Sequence, residues 1–167
     1  MAVSIVGWGH LPFGRHADRR LEDLISEVSK EALKHAGIDG TTVDGLWLGN
    51  LNGGFTPDIF ASSLVSQADP NLRWKPATRL ENACASGSAA IYAACDAIEA
   101  GRAKIALVVG AEKMTDVSGT DVTNILANCG YSNEIDSPTG GFPGIFGRIA
   151  EEYNQAWGNH SESLARI

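Results

Sequence analysis

Several things are scarce in this chain, and each scarcity excludes something. Cysteine occurs three times in 167 residues, an odd number without paired spacing. That excludes a disulfide framework and points to a reducing compartment. Basic residues are outnumbered, 13 Lys and Arg against 20 Asp and Glu, for a net charge of −7. A surface built for nucleic acid or an anionic membrane carries the opposite sign. The longest apolar run, IALVVGA at 105–111, is strand-sized and far short of a membrane span. The opening MAVSIVGWGH lacks the basic stretch and apolar length of a signal peptide. His10, His16, His35 and His160 show no metal-ligand spacing. Internal repeats and low-complexity segments are missing too. What is present is ordinary for a soluble protein, 44% hydrophobic and 20% charged. Folded as one domain, such a length buries roughly 70% of its unfolded surface. A cytoplasmic protein is expected.

Along the chain, strand and helix patterns alternate. Residues 2–9 (AVSIVGWG), β-branched and closed by glycines, predict a first strand. Leu21, Leu24, Ile25, Val28, Ala32, Leu33 and Ala36 then share one helical face, with acidic residues at its start and Gly37 at its end. VDGLWLGNL (43–51) predicts a second strand, and Thr56-Pro57 the cap of a helix carrying Ile59, Phe60, Leu64 and Val65. ATRLENA (77–83) is the third strand, residues 84–100 a helix, and AKIALVVGAE (103–112) the fourth strand. This alternation predicts an α/β fold: a mainly parallel sheet with helices on both faces. Beyond Met114 the chain turns polar and irregular until a helix from Pro143 to about Trp157, and another begins at Ser161. The expected domains are an α/β core over 1–118 and the beginning of a loop insertion over 119–167. Gly7-Trp8-Gly9 suggests a dinucleotide fingerprint, but Pro12 stands where the third glycine belongs and the second strand lacks the ribose-binding acid. It is rejected.

The most unusual stretch is ENACASGSAAIYAACDAIEAG, residues 81–101, in which twelve of 21 residues are Ala, Ser or Gly. A helix small or apolar all round until Asp96 predicts burial, with Gly87 a point of close backbone approach. Cys84 falls where the strand turns into this helix. A side chain there leaves the carboxyl edge of the sheet, as the nucleophile-elbow serine does, and meets the unpaired N–H groups of the helix start. Those groups favour a thiolate and can stabilise an oxyanion. A helix terminus supplies at most about 2 kcal/mol, so a base is still needed. The plainer reading makes Cys84 one more small buried residue, since free cysteine is among the most buried types. Position alone leaves the two readings level. Cys95, eleven residues further on and about 16 Å along the helix axis, is assigned to the core. Cys129 lies in the irregular segment.

Glu81-Asn82-Ala83-Cys84-Ala85-Ser86-Gly87-Ser88 resembles the nucleophile motif of the thiolase superfamily. Val109-Gly110-Ala111-Glu112-Lys113-Met114 resembles that family's close of the fourth strand, and Gly141-Phe142-Pro143-Gly144-Ile145-Phe146-Gly147 the start of its pocket-covering region. VGWGHLPFG (6–14) and the GAEKM ending are most similar to sterol-carrier-protein-type thiolases and their archaeal and bacterial relatives. The resemblance spans essentially the whole chain.

It implies a layered fold of two similar halves, of which this chain holds the amino-terminal one. It also implies that Cys84 attacks the ketone carbon of a 3-oxoacyl-CoA, releasing acetyl-CoA and leaving an acyl-cysteine for a second CoA thiol to collect. The Cys84 N–H then donates to the oxyanion. Phe146, where relatives place a methionine, and the adjacent Gly147 are implied to line the acyl pocket. The further implications are coenzyme A as co-substrate with no bound cofactor or metal, and a role in fatty acid or lipid metabolism. The missing carboxy-terminal half is the first partner implied, with a homodimer or tetramer when complete and a small accessory protein of OB-fold type as a further candidate. A eukaryotic member belongs in the peroxisome. The family's activating histidine, its second cysteine and the antiparallel partner of its fourth strand do not occur in these 167 residues. Three readings follow: part of an acyltransferase, a non-catalytic binding or assembly module, or part of an enzyme running another carbon–carbon bond reaction on CoA thioesters.

Overall fold

The computed structural model describes residues 2–131, 133 and 141–167; Ser132 and residues 134–140 of the expected insertion lie outside them. The chain forms two units, residues 1–117 and 118–167.

The first unit is built on helix α1 (Leu21–Ala36) and strands β1 (Gly45–Gly49), β2 (Ala77–Leu80) and β3 (Ala106–Gly110), with helix α2 (Ser86–Glu99) between the last two strands. The predicted face of α1 is the buried one, Leu21, Ile25 and Leu33 lying in the core. Gly37, at φ 70, ends the helix in a left-handed turn, its N–H donating to the Lys34 carbonyl while that of Ile38 reaches Leu33. The sheet is parallel throughout, in the order β2-β1-β3. From β1 the chain crosses to one side to make β2, then back past β1 to make β3. Right-handed crossovers in opposite directions must use opposite faces of the sheet. Accordingly Leu46, Leu48, Leu107 and Val109 face α1 and a 3-10 helix at Ala61–Ala68, sharing their core with Ile25, Val65 and Leu72. The alternate residues of β1 face α2, which buries Ser86, Ala90, Ala94 and Ala97. Each large aliphatic side chain buried in this way stabilises by about 1.5–3 kcal/mol. At the amino edge, the Asp44 carboxylate accepts the N–H groups of Lys104 and Ile105 (2.7 and 3.0 Å), and those bonds hold its pKa below the usual value.

Four expectations need correction. Residues 2–9 form no strand. Gly7 and Gly9 instead bring that segment onto α1, where an added Cβ would stand 2.6 Å from the Ala36 Cβ or the Val28 carbonyl, while Ile5, Val6 and Trp8 stay exposed. A strand needs a sheet edge, and neither β2 nor β3 pairs with this segment. Thr56 does not cap a helix: the Asn52 carboxamide oxygen takes the Gly54 and Thr56 N–H groups in a tight turn. The helical turns start only at Ala61, leaving Ile59 and Phe60 exposed. Helix α2 is not buried all round, because its outer side presents Ile91 and Tyr92 and leaves Cys95 half-buried.

The fourth correction concerns the second unit, where the supposedly irregular stretch contains helix α3 (Gly119–Ala127). Its signal was present as Ser118-x-x-Asp121, whose serine hydroxyl accepts the Asp121 N–H. Helices α4 (Gly141–Trp157) and α5 (Ser161–Arg166) follow as expected. Gly141, at φ 62, packs against Thr123 of α3, where a side chain would overlap the threonine methyl.

Candidate active site

In a parallel sheet the carboxyl ends of all strands share one edge, and there the chemistry-bearing residues of the first unit gather. Strand β2 ends at Leu80 and α2 begins at Ser86; residues 81–85 make the elbow between them, with a single 3-10 turn at Ala83–Ala85. Ala83 has φ 46, a left-handed conformation unusual for a residue with a Cβ. The Glu81 carboxylate accepts its N–H at 2.5 Å. The Ser86 hydroxyl accepts the Asn82 N–H at 2.8 Å and donates to the Ala83 carbonyl at 2.7 Å. Cys84 rides on this elbow, exposed, so the reading of it as one more buried small residue does not hold. Among the described residues neither its thiol nor its N–H has a hydrogen-bonding partner.

Beside the elbow lies a polar network that sequence reasoning missed. The Glu112 carboxylate accepts the Leu51 N–H (2.8 Å), the Asn52 N–H (3.1 Å) and the Asn50 side-chain amide (3.0 Å). Asn50 also donates to the Ala111 carbonyl (2.9 Å), and Arg79 of β2 reaches the carbonyls of Asn50 (3.0 Å) and Leu51 (3.3 Å). The ends of the three strands are thus joined through side chains. Burial pushes the Glu112 pKa up, against the hydrogen bonds and the Arg79 charge that pull it down. The available signal was a polar residue within two positions of the ends of β1 and β3: Gly49-Asn50 and Gly110-Ala111-Glu112. Next in sequence, the buried Lys113 ammonium binds the Arg15 carbonyl (2.9 Å), the Thr115 hydroxyl (2.7 Å) and Asp116 (2.9 Å), tying the segment before α1 to the chain after β3.

None of the first unit's histidines hydrogen-bonds to Cys84. His16 bonds the Pro12 carbonyl (2.7 Å), His10 meets Phe13 edge-on, His35 packs on Trp8 and His160 on Tyr153. No group of metal-binding side chains occurs among the described residues. Phe146 and Gly147 stand in the second unit, on α4. Phe146 is exposed and packs edge-on against Phe142, and Gly147 helps line an open groove of about 560 Å³ together with Asn154 and Leu164.

Comparison with known proteins gives this arrangement its relatives. The chain matches the family described as thiolase, N-terminal domain, over residues 3–164. It is 34% identical to an acetyl-CoA acetyltransferase of Methanocaldococcus jannaschii over 98% of its own length and 41% of the relative's. To the acetyl-CoA acetyltransferase of Methanothermobacter thermautotrophicus it is 32% identical, covering 99% of this chain and 43% of that one. Sterol carrier protein 2 of Bos taurus is 28% identical over 99% of the chain and 31% of the relative. The chain therefore spans about two-fifths of the archaeal relatives' length. Among solved structures, 3-oxoacyl-[acyl-carrier-protein] synthase III from Aquifex aeolicus superposes with TM-score 0.52 at 27% identity, over 59% of this chain and 32% of that one. With the family matched from residue 3 to residue 164, and a parallel α/β sheet that meets the cysteine-bearing helix at its carboxyl edge, the chain belongs to the thiolase family and represents its amino-terminal domain.

Proposed function

We propose that this chain is the nucleophile-bearing part of a thiolase-type acyltransferase that acts on CoA thioesters. The observation that carries the reading is Cys84 itself, exposed on a strand-to-helix elbow at the carboxyl edge with an unengaged N–H. In the degradative direction the thiolate adds to the ketone carbon of a 3-oxoacyl-CoA, and the Cys84 N–H donates to the oxyanion that forms. The bond between C2 and C3 breaks, the acetyl-CoA carbanion takes a proton, and the acyl group remains on sulfur. A second CoA thiol then collects it and returns the thiolate. The first proton removed and the proton delivered to acetyl-CoA both need acid/base groups. No histidine of the first unit hydrogen-bonds to Cys84, and the reading assigns those groups to the rest of the enzyme.

The same reading accounts for the surfaces left open. β2 and β3 each have one edge without a partner among the described residues, and the outer side of α2 is apolar. A second, similar half fits the α2 face, and association of whole subunits fits the strand edges. A homodimer or tetramer, with or without a small accessory protein, in the cytoplasm and serving lipid metabolism, is the setting proposed. Among the described residues no helix is long and apolar enough to cross a membrane.

The experiment is to mix the complete enzyme with acetoacetyl-CoA, quench in acid and map the modified peptide by mass spectrometry. One acetyl group on the Cys84 peptide is the expected result. An unmodified Cys84 under conditions of turnover overturns the proposal.

A further inference from the structure

We propose that Ser86 is a positioning residue for Cys84: its hydroxyl locks the Asn82–Ala83 elbow that presents the thiol. The inference rests on the reading of Cys84 as nucleophile.

Ala83 is why a lock is needed. Its φ of 46 lies in the left-handed region, which disfavours a residue with a Cβ by about tenfold in population. Left to itself, Ala83 relaxes, and the first atoms displaced are the N–H and side chain of the residue that follows it, Cys84. Ser86 opposes this from both sides of the strained residue. It accepts the N–H of Asn82 before it, and spends its single proton on the carbonyl of Ala83 itself. The Ser86 backbone N–H goes to that same carbonyl. The residue is 5% exposed, so water has little access to replace its hydroxyl.

Ser86 is in turn seated on the sheet. A Cβ on Gly49, the last residue of β1, would stand 2.6 Å from the Ser86 carbonyl, so the first turn of α2 rests directly on the strand end. An ordinary capping serine points into its helix and accepts N–H groups there. Both side-chain bonds of Ser86 instead run backward, out of α2 and into the elbow. Its removal should therefore move Cys84 without melting the helix.

The test compares Ser86→Ala, Ala83→Gly and the double variant in the complete enzyme. Ser86→Ala is expected to lower kcat for acetoacetyl-CoA thiolysis about tenfold, with KM for CoA nearly unchanged and Tm lowered by no more than the loss of two hydrogen bonds entails. Glycine holds the left-handed conformation without steric cost, so adding Ala83→Gly should return most of that loss. The rate of Cys84 alkylation by iodoacetamide, followed by peptide mapping across neutral pH, provides a second readout that needs no acyl transfer. It should fall with Ser86→Ala and recover in the double variant, while Cys95 does not change. Wild-type kcat and wild-type alkylation in Ser86→Ala overturn the proposal, and so does a loss that Ala83→Gly fails to relieve. If the parent enzyme never acylates Cys84, the acyl-transfer reading falls by itself, and the alkylation arm still decides the role of Ser86.

Discussion

At the scale of single residues, two glycines exchange the roles that the sequence suggests for them. Gly87 sits inside the small-residue helix and invites the expectation of close packing, yet a Cβ there meets nothing within 4 Å. Gly49, an unremarked strand end, is the tight one: its Cβ would lie 2.6 Å from the Ser86 carbonyl and 2.8 Å from the Gly87 Cα. Gly49→Ala should therefore cost about 1–3 kcal/mol through overpacking, whereas Gly87→Ala should leave stability nearly unchanged. Urea unfolding midpoints of the two variants check this, and a tolerant Gly49 would show that α2 is free to shift. Cys84 was legible for a different reason. A thiol at a strand-helix junction is a local pattern, while the approach of β1 to α2 joins residues 37 apart in sequence and has no local signature. Because the Cys84 thiol is exposed and makes no hydrogen bond among the described residues, Cys84→Ser should abolish acyl transfer and leave Tm unaltered. Turnover near the parent level in that variant would exclude a covalent role, since a serine hydroxyl needs a stronger base than a thiol does.

At the scale of elements, the helices with a clean 3.6-residue stripe, α1 and α4, were readable to within two or three residues. The failures share a cause. Residues 2–9 have the composition of a strand, but a strand is defined by its neighbour, and this segment finds α1 instead of a sheet edge. Helix α2 has the composition of a buried helix but is covered on one side only. The Glu112 network was missed because its members, each a polar residue near a strand end, are joined only when the three strands pair. It makes a firm prediction nonetheless. Both Glu112 oxygens accept N–H groups, so the amide nitrogen of Glu112→Gln must face a donor in either orientation. The loss should be about 1–3 kcal/mol, measured by chemical unfolding. Its pH dependence has a definite sign. Burial raises the folded-state pKa of Glu112, so the contribution of this group is complete below its unfolded pKa, near 4.3, and declines as pH rises through the raised value. The stability difference between the parent and Glu112→Gln should therefore narrow from about pH 4 towards neutrality. A difference that widens over that range would mean the hydrogen bonds outweigh the burial.

At the scale of the whole molecule, the surfaces matter more than the core. The chain leaves one edge of β2 and one edge of β3 unpaired among the described residues, and it exposes Ile91 and Tyr92 on α2, Trp74 before β2, and Ile5 and Val6 near its start. Open strand edges and exposed apolar side chains both promote association. The 167 residues on their own should thus sediment as oligomers or aggregates rather than as a monomer. They should also lack thiolysis activity, because among the described residues of the first unit no base hydrogen-bonds to the Cys84 thiol. Supplying the remainder of the thiolase fold, by extension or as a second polypeptide, should bring a defined oligomer and turnover together, since on the proposed reading the second half covers the α2 face and supplies the acid/base groups. Light scattering beside an assay of acetoacetyl-CoA loss tests both parts on one sample. A well-behaved monomer that turns over acetoacetyl-CoA would mean that one of His10, His16, His35 and His160 leaves its present partner to serve Cys84, and single His→Gln variants would then identify it.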